Sequence, residues 1–146
     1  MRRFLRSLFR SDPLDWESAG SRSFVGRDGP PAGGAVDVIV PVYGAAAELA
    51  LCLASVERHT DLAKHRLVLV IDGPQPPEIE GLLDRGMGTT LLLRQPVRCG
   101  FVKSANRGML EPGTEPARDV LLLNSDTEVT AGWLEKLQAA AYSSPE

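Results

Sequence analysis

From Val36 onward, short apolar runs alternate with segments whose apolar residues recur every three or four positions. VDVIVPV (Val36–Val42), rich in β-branched residues, predicts a first strand. In the next segment Leu49, Cys52, Leu53 and Val56 share one face at helical spacing, and His59 and Thr60 close the helix. RLVLVIDG (Arg66–Gly73) predicts a second strand, and the turn Gly73-Pro74-Gln75-Pro76-Pro77 opens a short helix through Leu82 and Leu83. TTLLLRQP (Thr89–Pro96) predicts a third strand, after which Gly100 precedes a helical segment carrying Lys103, Asn106, Arg107 and Gly108. A Pro/Gly loop from Glu111 to Arg118 leads into a fourth strand, whose run Val120–Leu123 has the character of strands buried on both faces of a parallel sheet. Thr130 is placed as the N-cap of a last helix, with Trp133, Leu134, Leu137 and Ala141 as its buried stripe.

Four strand–helix alternations imply an α/β fold, a mostly parallel, Rossmann-like sheet with helices on both faces. Proline lacks a ladder donor, so the first strand is expected to peel away at Pro41. Residues 1–34 do not share the pattern. From Ser11 they are rich in Asp, Ser, Gly and Pro and end in GRDGPPAGG, which reads as an N-terminal arm or linker before a domain spanning 35–146. Trp16 and Phe24 are its candidates for docking on that domain.

Composition narrows the partners. Of the 146 residues 43% are hydrophobic and 24% charged, as in ordinary soluble domains. A net charge of -3 and 5% aromatics supply neither a basic footprint nor base-stacking platforms, which excludes nucleic acid as the expected partner. Cys52 and Cys99 fit no metal or redox spacing, so a reducing, cytoplasmic setting is the expectation. The opening MRRFLRSLFR alternates Arg2, Arg3, Arg6 and Arg10 with Phe4, Leu5, Leu8 and Phe9. It reads either as a basic amphipathic helix making peripheral membrane contact through residues 1–10, or as a solvated terminus.

Candidate chemistry collects where strands end, because parallel strands point their C-terminal ends to one edge and open α/β folds hold ligands there. Asn124, Ser125 and Asp126 follow the fourth strand; oxygen donors on such a support suit a hard divalent cation, and such a cation suits a diphosphate. The other reading of these residues is a polar turn capping the next helix. Asp72 ends the second strand, where it fits either a hydrogen bond from a nucleotide or a turn-forming Asp-Gly. Pro41, Val42 and Tyr43 form the third tip. Gly100, opening a helix with Lys103 nearby, offers N–H groups to phosphate, although it matches neither a Walker loop nor GxGxxG.

The segments VDVIVPVYG, VLVIDG, RCGFVKSANRGM and LLLNSDTEVTAGWLEKL, in this order, resemble the nucleotide-binding half of the family 2 glycosyltransferases, which have the GT-A fold. They look most like its rhamnosyltransferase-like branch, where the metal motif reads N-x-D instead of D-x-D. The match runs from about Val36 to Pro145. The resemblance implies hexosyl transfer from a nucleotide-diphosphate sugar to the hydroxyl of a glycan, lipid-linked or protein acceptor, in cell-envelope polysaccharide synthesis. It assigns Pro41, Val42 and Tyr43 to the base surroundings and Asp72 to a base hydrogen bond. Lys103, Asn106 and Gly108 go to the diphosphate side, Asn124 and Ser125 to the metal motif, and Asp126 to a divalent cation, Mg²⁺ or Mn²⁺. Two departures stand out: Gly44 replaces the usual Asn after the first strand, and a single Asp72 precedes Gly73-Pro74. The family's catalytic base lies beyond the metal motif and is expected beyond Glu146, which makes the chain a donor-binding portion truncated before the acceptor half. The alternative is a non-catalytic nucleotide-binding or interaction module of the same fold.

Overall fold

A computed structural model describes residues 34–86, 90–110 and 118–143. The basic segment 1–10, Trp16 and Phe24 lie outside the described residues, as do 87–89, 111–117 and 144–146. The order is β1 (Val36–Val42), α1 (Ala46–His59), β2 (Arg66–Ile71), α2 (Pro77–Leu83), β3 (Thr90–Arg94), α3 (Phe101–Leu110), β4 (Asp119–Leu122) and α4 (Trp133–Ala141). The strands form one sheet in the order β3-β2-β1-β4, with every pair parallel.

That order explains which face each helix covers. The connections from β1 to β2 and from β2 to β3 step one way across the sheet, and the connection from β3 to β4 steps back. Right-handed crossovers therefore put α1 and α2 on one face and α3 on the other. The buried side chains agree. Val36, Val38, Val40 and Val42 of β1 pack with Leu49, Cys52, Leu53 and Val56 of α1, Ile79 of α2, and Trp133 and Leu134 of α4. On the opposite face Ile39, Val68, Val70 and Leu93 form a smaller cluster under α3. Fully burying each aliphatic side chain contributes roughly 1.5–3 kcal/mol, so the larger face dominates stability. The strand order reverses between β1 and β4, and a crevice at such a switch point is where this architecture accepts ligands.

Four sequence expectations are corrected. Val120 and Leu122 of β4 are 45% and 40% exposed, so this strand is not buried on both faces. The reason is non-local: α3 packs over β1 and β2, and β4 lies at the sheet's edge beyond it. The first strand does not peel off at Pro41, since Val42 pairs with Ile71 and its carbonyl accepts the Asp72 N–H at 2.8 Å. Alternate residues of a parallel strand bond alternate neighbours, and Ile39 accepts from Leu123 N–H on the β4 side. Pro41 thus faces β4 one rung beyond the last register pair, Ile39 with Leu122, so its missing N–H costs little. Thr130 does not cap α4. Gly132 does, in a left-handed conformation (φ 70°), and Thr130 accepts the Trp133 N–H through its carbonyl. Finally, the buried face of α4 is Trp133, Leu134 and Gln138, whereas Leu137 is 50% exposed and Ala141 exposed. Trp133 is a core residue, as its pattern suggested, and its indole N–H donates to Thr60 Oγ1.

A buried acid that the sequence pattern did not single out closes the far end of the sheet. Asp37 of β1 is fully buried and accepts from both Arg66, opposite it on β2, and Arg118, just before β4. Beside it, His65 accepts the Val36 N–H at Nδ1 over 3.1 Å. Among the described residues no helix is long and apolar enough to cross a membrane.

Candidate functional site

The site is assembled at the C-terminal ends of the strands. The β4 tip carries the N-x-D sequence on a tight turn, in which Thr127 N–H donates to the Asn124 carbonyl at 3.2 Å. Asn124 and Asp126 are exposed while Ser125 between them is buried, so the two side chains with oxygen donors face solvent together. The turn is anchored at its start by Leu123 N–H to Ile39. From α1, the Cys52 thiol donates to the Asn124 carbonyl at 3.6 Å, and Ser55 Oγ accepts the Val129 N–H at 2.9 Å. Burial pushes the Cys52 thiol up to about 11; the Thr127 backbone pulls the other way, and the Asp126 charge adds to the rise. These influences agree that Cys52 lies directly under the acidic turn.

At the β2 tip, Asp72 is tied to the loop before α3. Asp72 is 4% exposed, and its carboxylate is committed within the chain. Oδ1 accepts from Cys99 N–H at 2.6 Å and from Gln95 Nε2 at 3.4 Å, and Oδ2 accepts from Gly100 N–H at 3.0 Å. Gln95 also donates to Ser104 Oγ, which in turn donates to the Gly100 carbonyl. Asp72 therefore clamps the loop before α3. The N–H of Gly100, where the sequence offered a phosphate-binding helix start, and that of Cys99 before it both donate to this carboxylate. Gly73 is required here: its φ is +75°, and a Cβ would lie 2.7 Å from the Arg98 backbone nitrogen.

The remaining predicted residues divide by burial. Pro41 and Val42 are buried, Val42 entirely within the larger core, so of the β1 tip it is Tyr43, 48% exposed, that presents a side chain. Beyond it the chain turns through Gly44 (φ +139°) and Ala45, whose left-handed conformation (φ 59°) costs an ordinary residue roughly 1–2 kcal/mol. Lys103 and Asn106 are exposed on α3. Gly108 is buried, facing Ile39 and Val70, and packs the helix closely on the sheet.

Sequence reasoning missed Ser55, Gln95 and Ser104. Ser104, Ala105 and Gly108 form a stripe of small residues at helical spacing, which was a legible sign of close packing. Nothing local marks Ser55 or Gln95. A cleft of about 450 Å³ opens elsewhere, between the start of β4 and α4, lined by Val36, Asp119, Leu121, Leu134, Leu137 and Tyr142 among others.

A parallel four-stranded sheet with exposed oxygen donors at its switch point belongs to the open α/β domains that accept ligands at that edge. Residues 37–146 match Glycosyl transferase family 2, and the chain belongs to that family. No curated protein sequence matches it. Among solved structures, TarS 1-349 from S. aureus is similar at 19% identity and a TM-score of 0.59, over 73% of this chain and 31% of that one. Its complex with UDP-GlcNAc gives 18% identity and a TM-score of 0.59, over 73% and 30%. A longer TarS structure gives 20% and 0.57, over 74% and 19%. The chain thus spans about a third or less of the TarS structures it matches, and the likeness is one of fold.

Proposed function

We propose that this chain is the donor-binding portion of a glycosyltransferase of the rhamnosyltransferase-like branch, holding a nucleotide-diphosphate sugar with Mg²⁺ or Mn²⁺. The observation that carries the proposal is the exposed Asn124/Asp126 pair on a turn anchored to β1 and α1, beside the switch point of the sheet. The donor set fits such a cation: a single carboxylate with an amide oxygen suits Mg²⁺ or Mn²⁺, which take one or two protein carboxylates and complete their shell with phosphate and water. No cluster of three or more His, Cys, Asp or Glu that would form an all-protein cage is found among the described residues. When bound, the cation neutralises charge on the departing diphosphate.

The remaining roles follow from exposure. Asp126 holds the cation and Asn124 supports it. Tyr43 offers an aromatic surface to the base, while Asp72 supports that region indirectly through the Cys99–Gly100 loop. Lys103 and Asn106 are assigned to the diphosphate side. No described residue is assigned the base that takes the acceptor hydroxyl's proton. UDP-GlcNAc, held by one TarS structure, makes a UDP-sugar the first donor to try. A cytoplasmic setting, with residues 1–10 at the inner membrane face, completes the proposal.

Calorimetry tests it. UDP is expected to bind with MnCl₂ and not with EDTA, and Asp126→Ala is expected to abolish the metal-dependent heat. Binding that ignores both the metal and the substitution would overturn the reading. The buried Asp72 and the bare Gly44 favour one alternative, a non-catalytic module of the same fold. Slow, metal-dependent hydrolysis of a UDP-sugar panel separates the two, since the module should show none.

A further inference from the structure

The acidic turn is held from beneath at both ends by one helix. Ser55 Oγ donates to the Cys52 carbonyl at 2.7 Å, an ordinary back-bond for a helical serine. Less ordinary is its second bond, in which it accepts the N–H of Val129, 74 residues away and 7% exposed. The Cys52 side chain one turn earlier donates to Asn124, so residues 124 and 129 are tied to adjacent positions of α1. Asp126 itself is exposed, and its placement depends on the backbone of this turn.

We infer that Ser55 is a positioning residue for the cation site, fixing the Asn124–Val129 turn so that Asp126 meets the cation in one geometry. The inference rests on the reading of Asp126 given above. Metal sites tolerate misplacement of only about 0.5 Å, and losing a supporting hydrogen bond typically lowers metal affinity about 10–100-fold. Removing the Ser55 hydroxyl also leaves a buried N–H without its acceptor, which the turn can relieve only by shifting.

The test is a Mn²⁺ titration of the full chain at fixed UDP, with melting measured in parallel. Ser55→Ala is expected to raise the Mn²⁺ half-saturation about tenfold or more. Ser55→Thr, which keeps the hydroxyl, is expected to restore it. A Ser55→Ala titration within about twofold of the wild type would overturn the inference and leave the Asp126 reading standing. A Ser55→Thr variant as weak as Ser55→Ala would do the same, pointing to packing. Absence of Mn²⁺-dependent UDP binding in the wild type would overturn both. Should Ser55→Ala fail to fold, Ser55→Cys, similar in volume but a weaker acceptor, is read the same way.

Discussion

Gly108 of α3 lies against Ile39 of β1 so closely that a Cβ on the glycine would overlap Ile39 Cγ2 and stand 3.0 Å from Val70 Cγ2. This contact seats α3 on the inner strands. Arg107, one residue earlier, reaches sideways to the Arg94 carbonyl of β3 at 2.6 Å, which fixes the helix's lateral position. The N-terminus of α3 is then held at the rim through Gly100 and Asp72. A packing detail in the middle of the helix thus helps set where Lys103 stands.

Gly108→Ala is expected to destabilise the domain. In an exposed helix the change would gain about 1 kcal/mol of propensity. Here the added methyl meets two β-branched side chains of the sheet, and overpacking of that kind costs about 1–3 kcal/mol. The packing cost should prevail, lowering the urea midpoint with an unchanged slope. A midpoint at or above that of the wild type would show that α3 has room to move away.

Asp37 and Asp126 are both acids on sheet-end segments, and they should respond oppositely to truncation. Asp37 is sealed between Arg66 and Arg118, so Asp37→Ala leaves two partly buried guanidinium groups facing a cavity, at a cost of about 3–5 kcal/mol. Asp126→Ala removes an exposed side chain and should leave the melting temperature nearly unchanged while abolishing metal-dependent UDP binding. Thermal melts of both variants beside the calorimetry separate the two. Equal destabilisation would mean that the N-x-D turn is a structural element.

Much of this was readable from the chain. The bounds of β1 and the buried face of α1 depend on local periodicity, and both appear as the sequence implied. What the local pattern did not show depends on distant partners. The exposure of Val120 and Leu122 is decided by where α3 lies. The commitment of Asp72 is decided by the backbone N–H groups of Cys99 and Gly100, 27 and 28 residues away, which no side-chain pattern announces. Along α4, the Gly132 cap delays the helix and Gln138 takes the inward position given to Leu137, because its amide donates to Gly34 and Asp119. Asn124 and Asp126 were legible as a pair because strand and turn are both local signals.

His65 should make the domain acid-sensitive. It is 3% exposed and accepts a hydrogen bond from Val36, which only the neutral ring can do at Nδ1. Burial first, then the Lys64 charge, pushes its pKa below the ordinary value near 6.5. The unfolded chain therefore binds the proton more readily than the folded one. The histidine's contribution is fully present above about pH 6.5 and is lost as pH falls toward the folded-state pKa. Melts at pH 7.5 and 5.5 should show a drop in the wild type that His65→Gln reduces. An identical pH dependence in both would remove His65 as the cause.

The two cysteines provide a check on the turn itself. Cys52 is buried under Asn124, with its thiol pushed up to about 11, whereas Cys99 is partly exposed in the loop clamped by Asp72. At pH 8 a thiol with that pKa is thiolate in only about one molecule per thousand, and burial blocks the reagent as well. A disulfide-exchange reagent should therefore titrate one thiol quickly, identified by Cys99→Ser, and reach the second only in denaturant. The distinction matters beyond reactivity, because the protonated Cys52 is the donor to the Asn124 carbonyl, and a thiolate would lose that bond. Rapid labelling of both thiols in the native chain would mean that the turn lifts away from α1, and the geometry on which Asp126 depends would go with it.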